Sequence, residues 1–86
     1  MLNRNEIEYN VMSLVSTWLF DAKDVSHLTL ILTNDNAETT IDCNNSDEVV
    51  SHLSSVLINN SEKYTMATLV GVVGDKDKKF GELDII

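Results

Sequence analysis

Apolar residues early in the chain fall at Ile7, Val11, Leu14, Val15, Trp18 and Leu19. Their spacing draws one stripe on a 3.6-residue period and predicts a helix over about residues 4–21. Asn3 can cap it, and Glu6, three residues on, has capping-box spacing. Leu2 and Ile7 are placed to form a hydrophobic staple across that cap. The period then changes to two. Leu28, Leu30 and Leu32 alternate with His27, Thr29, Ile31 and Thr33; beyond a polar turn, Thr39, Ile41 and Cys43 alternate with Glu38, Thr40 and Asp42. This is a hairpin. A two-residue loop at Asp35-Asn36 pairs Leu32 with Thr39, Leu30 with Ile41 and Leu28 with Cys43. Only that register sorts apolar from polar faces, because a one-residue slip exchanges them. It turns Glu38 and Asp42 outward, beside Thr33 and Thr29. Asp and Asn also tolerate the positive φ that such loops commonly use.

A second helix starts near Ser46, where Asn45 and Glu48 repeat the capping-box spacing and Asp47 and Glu48 suit the positive helix end. Val49, Val50, Leu53, Val56 and Leu57 form its stripe, and Asn59-Asn60 is its stop. Tyr64–Val73 is apolar on both parities, as a central strand is. Gly74–Lys79 reads as a turn and Phe80–Ile86 as the returning strand. A turn centred between Lys76 and Asp77 pairs Val70 with Leu83 and Thr68 with Ile85. The fold class is therefore α+β: order α-β-β-α-β-β, with two helices packed on a four-stranded, mostly antiparallel sheet. The polar outer side of the first hairpin favours both helices on one face.

Composition narrows the function. With 86 residues, residues 1–86 form a single domain, and 43% hydrophobic residues suffice for a thin core. The net charge of −8 excludes a basic binder that neutralises nucleic-acid phosphates and disfavours anionic membrane surfaces. One cysteine excludes an intramolecular disulfide framework. No apolar run reaches membrane-spanning length, and MLNRNEIEYN lacks the apolar stretch of a signal peptide. These features set the expectation of a soluble, cytoplasmic protein.

Candidate chemistry is sparse. Cys43, His27 and His52 are the only nucleophile and base residues of interest, and the expected elements keep them apart. Three dispersed ligands make no zinc site. Asp75-Lys76-Asp77 resembles the start of a calcium loop, but Phe80 and Ile86 occupy the positions needing Gly and Glu. Gly71, Gly74 and Gly81 precede no helix and form no phosphate loop. Asn44-Asn45-Ser46 and Asn59-Asn60-Ser61 fit a glycosylation pattern without a secretory context. Trp18 sits on the helix stripe as a core anchor. Neither catalysis nor a metal or other cofactor is expected.

The charge map is more informative. From Asp24 to Glu62 there is no Lys or Arg, while Asp24, Asp35, Glu38, Asp42, Asp47, Glu48 and Glu62 all fall there. All the basic residues (Arg4, Lys23, Lys63, Lys76, Lys78 and Lys79) lie outside. If the last strand adds Glu82 and Asp84 to the same sheet face, a broad negative patch results. Such a field draws basic surfaces, while the same charge also serves solubility alone; both readings stay open. Leu69, Val73, Phe80 and Ile86 form a second feature, an apolar set expected to share the face opposite Val70 and Leu83 and to serve either core packing or docking.

Residues 26–58, SHLTLILTNDNAETTIDCNNSDEVVSHLSSVLI, run strand, Asn-Asp turn, strand, acidic break and apolar-striped helix. This stretch resembles the corresponding part of small phage-encoded anti-CRISPR proteins that block a CRISPR nuclease. In size and charge the chain is also similar to phage inhibitors of uracil-DNA glycosylase. The resemblance implies a DNA mimic, which sets carboxylates where a nucleic-acid enzyme expects phosphates. The apolar strand Tyr64–Val73 and the Lys-rich turn after it have no counterpart there, and no residue role is carried over. The expected function is a non-catalytic inhibitor that occludes a basic, nucleic-acid-handling protein, binding neither nucleic acid directly nor a membrane. Asp35, Glu38, Asp42, Asp47 and Glu48 are the expected contacts. The alternative is an immunity protein, antitoxin or secretion-chaperone-like module with one cognate partner. A mimic would be a monomer, and a chaperone a homodimer.

Overall fold

The computed structural model describes residues 3–85. The elements are α1 (Arg4–Trp18), β1 (Val25–Thr33), β2 (Glu38–Cys43), α2 (Ser46–Ile58), β3 (Met66–Val73) and β4 (Lys76–Asp84). The fold is α+β, with one antiparallel sheet in the order β2-β1-β3-β4. Two hairpins thus lie side by side and join through the central pair β1–β3. Leu2 and Ile86, and with them the expected staple, fall outside the described residues.

Both helices begin as their sequences dictate. Asn3 Oδ1 accepts the Glu6 backbone N–H at 2.9 Å, and Asn45 Oδ1 accepts that of Glu48 at 3.0 Å. Each cap satisfies an N–H left free in the first turn. α2 stops at Asn59 as expected. α1 ends three residues before the expected limit: Leu19 is its C-cap, and its N–H donates to Val15 O at 3.0 Å. The chain must then reverse to enter β1, and Asp24, at φ 58°, takes the left-handed conformation there.

The first hairpin has the expected register, from Thr33↔Glu38 to Leu28↔Cys43. Its turn works differently. Among the described residues only Asp24, Lys63 and Gly74 have positive φ, so Asp35 and Asn36 do not. Asn34 shapes the turn instead. Its Oδ1 accepts from the backbone N–H of Asn36 and of Ala37, both at 2.8 Å. Its Nδ2 donates to Glu62 O at 2.9 Å, tying the hairpin to the loop that follows α2.

The second hairpin departs from expectation. Its turn is Gly74-Asp75, with Gly74 at φ 66°, and Lys76–Lys79 belong to the strand. Val73 pairs with Lys76 and Val70 with Lys79. A register shift at Leu69/Val70 then leaves Phe80 without a partner, so Leu69 meets Gly81 and Ala67 meets Leu83. The expected pairs Val70–Leu83 and Thr68–Ile85 are therefore wrong. A polar run reads as loop in sequence, but an edge strand with one solvated face is also polar.

Both helices cover the same sheet face. The core joins Val11 and Val15 of α1, Val49 and Leu53 of α2, and Leu30, Leu32, Ala67 and Leu69 of the central strands. Each buried valine or leucine contributes about 1.5–3 kcal/mol by burial, and Ala67 less. Trp18 packs against this core, its ring lying where a side chain at position 81 would project from β4, which requires glycine there. Ser54 of α2 is 2% exposed, and its hydroxyl has no hydrogen-bond partner. The shortest extent of the molecule is 18 Å, enough for one helix layer on one sheet. The other sheet face is bare.

Candidate functional site

The bare face is laid out by register. Across the sheet from β2 to β4, one row reads Glu38, Thr33, Met66, Asp84, and the next Thr40, Ile31, Thr68, Glu82. A third reads Asp42, Thr29, Val70, Lys79, and a fourth holds His27, Val72 and Asp77. Every residue carried by β1 and β3 in the first three rows is apolar or threonine. The edge strands carry the charges: Glu38 and Asp42 on β2, and Asp77, Glu82 and Asp84 on β4, with Lys79 ion-paired to Glu82. The face is therefore a strip of apolar and threonine side chains, two strands wide with His27 at one end, between two edges that carry the acids and, on β4, Lys79. Three inter-strand gaps separate the margins by roughly 14 Å. Ile31, Met66, Val70 and Val72 are half-buried, and none of them packs against the core beneath the helices.

Of the expected contact residues, Glu38 and Asp42 are exposed on this face. Asp42 Oδ1 accepts a hydrogen bond from Thr29 Oγ1 at 3.3 Å, which orients the carboxylate along the surface. Asp35 is exposed at the hairpin tip. Asp47, exposed, and Glu48, half-buried, lie in the first turn of α2, in the other layer. The five acids thus do not form one plane. They wrap the β2 edge, which links the two layers. Cys43, buried at the end of β2, senses this. Burial pushes its thiol pKa up from the ordinary value of 9.0, and the Glu48 and Asp42 carboxylates push it further. Glu82 and Asp84 share the face with Glu38, so the negative surface extends to both edges.

The apolar set expected from the last two strands is rearranged. Leu69 is fully buried beneath the helices, and Phe80 packs against the same core. Val70 lies on the bare face and Leu83 on the helix face. The strip Ile31–Met66–Val70–Val72 takes the place of that set. Its sequence signal was the apolar residues on both parities of Tyr64–Val73, half of which face away from the helices. Elsewhere, Tyr9 and Met12 on α1 and Phe20 just beyond its end are exposed, and Ile7, Leu14, Leu57 and Leu83 help line a shallow apolar groove of about 310 Å³.

The catalytic inventory stays dispersed. His27 is exposed on the bare face, Cys43 is buried on the opposite one, and His52 is half-buried on α2. Among the described residues no cluster of His, Cys, Asp and Glu could hold a metal ion. No helix among them is long and apolar enough to cross a membrane. No protein-family model matches the chain, and no curated protein or solved structure matches it either.

Proposed function

We propose that this chain is a non-catalytic antagonist that binds a basic, nucleic-acid-handling protein and occludes the surface on which that protein holds phosphates. The observation that carries the reading is the bare sheet face, with acids along both edge strands and no Lys or Arg between Asp24 and Glu62. Rigid strands hold these carboxylates at fixed spacing: Glu82 and Asp84 are face neighbours roughly 7 Å apart along β4, and Glu38 and Asp42 stand two such steps apart on β2. A fixed negative lattice complements a phosphate-binding groove and speeds its capture. The anti-CRISPR and glycosylase-inhibitor style of DNA mimicry is the class in which the proposal falls.

The test is capture of partners from a host lysate, eluted across a salt series. A nucleic-acid enzyme released at moderate salt is the expected result, because exposed charge contacts are screened. The double variant Glu38→Lys/Asp42→Lys keeps its fold and loses at least about tenfold in affinity. Unchanged capture by that variant would sink the reading.

A second reading, an immunity, antitoxin or chaperone-like module, is favoured by the exposed Tyr9 and Met12 on α1 and Phe20 just beyond its end. It calls for salt-resistant capture that Tyr9→Ser or Phe20→Ser abolishes.

A further inference from the structure

The bare face has a shape as well as a charge. We infer that it is a cradle for one cationic amphipathic helix of the partner, lying along the strands with its apolar stripe on Ile31, Val70 and Val72 and its Lys or Arg flanks on the two acidic margins. This rests on the antagonist reading and names the partner element that would satisfy it.

Width is the first argument. Roughly 14 Å between margins admits a single helix, whose diameter with side chains is about 10–12 Å. Charge placement is the second. Ile31, Met66, Val70 and Val72, with Thr29, Thr33 and Thr68 among them, occupy the middle and leave Glu38, Asp42, Asp77, Glu82 and Asp84 at the sides, where Lys79 is paired to Glu82. That arrangement matches an apolar stripe flanked by cations. A second copy of this chain is a poor occupant, since it would bring the same acidic margins into contact with these.

The test uses the full chain and synthetic probes. One is a helical peptide of about 18 residues, roughly 27 Å long, built of leucine and lysine with the leucines on one stripe. The second has the same composition in an order that scatters the leucines. The third is oligolysine of equal charge. Binding is followed by titration calorimetry and by amide chemical shifts. The striped peptide is expected to bind at least about tenfold tighter than either control, with shifts centred on Ile31, Thr68, Val70 and Val72. The double variant Ile31→Thr/Val70→Thr, which keeps strand propensity, should lose that preference and still bind oligolysine. Equal binding of all three probes overturns the cradle and leaves the acidic antagonist standing. Shifts centred on α1 or its groove overturn it too, as does self-association of the chain through this face. Absence of binding by any probe also overturns the cradle, while the salt-series capture judges the antagonist separately.

Discussion

At single positions, packing leaves no slack. The Trp18 ring lies against Gly81, where any Cβ would overlap it. Gly81→Ala must therefore displace the ring or bend β4. The expected cost is about 2–3 kcal/mol, read as a lower urea midpoint. Emission from Trp18, the only tryptophan, shifts to the red. Cys43 gives a pH signature. Its folded thiol pKa lies above the ordinary 9.0, so on raising the pH the unfolded thiol ionises first. Between the two pKa values the unfolded state binds fewer protons, and stability falls as pH rises. The contribution is whole below pH 9.0 and is lost through the alkaline window above it. Unfolding measured from neutral to alkaline pH should show this limb, and Cys43→Ala should flatten it. Ser54 is the residue that pattern reading missed. It carries no apolar signal, yet it is buried one turn before Leu57, which packs against the core.

The elements differ in how openly their sequences declare them. The helix starts and the first hairpin register were legible, since Asn caps and strict alternation leave one consistent solution. The turn chemistry between β1 and β2 was not. Asn34 shapes it by side-chain hydrogen bonds that also reach Glu62, 28 residues away in sequence. Asn34→Ala should then cost about 1–2 kcal/mol. Asn34→Asp keeps the two acceptor bonds but sets a carboxylate oxygen against Glu62 O, so it should recover only part of that loss. Urea unfolding with an unchanged slope checks both. The β3–β4 register was illegible for a different reason. Lys76, Asp77, Lys78 and Lys79 have the composition of a loop, and the unpaired Phe80 shifts every later pair by one. The acids Glu38 and Asp42 could be placed outward from alternation alone. That Asp47 and Glu48 lie in the other layer required knowing where α2 packs.

Taken whole, the molecule carries its charge at one extreme. A net charge of −8 on a small domain repels itself, and the exposed Arg4–Glu8 and Lys79–Glu82 pairs offset little of that. Added salt should therefore raise the melting temperature, by screening the acids gathered between Asp24 and Glu62. The same salt should weaken capture of a basic partner. Opposite responses of stability and binding along one salt series, from calorimetry and pull-down, would separate a binding surface from a merely solubilising one. A salt-insensitive melting temperature would mean that the acids are too far apart to oppose folding.

The interleaving of the two halves has its own consequence. α1 belongs to the first half of the chain, yet its Trp18 covers Gly81 of the second hairpin, and β1 completes its pairing only when β3 arrives. A ribosome releases β1 with one apolar strand edge open, and nothing made before β3 can close it. The first half therefore cannot settle early as a finished unit. The chain folds as one cooperative body after its last third is synthesised, and until then its own acidity is what keeps nascent copies apart.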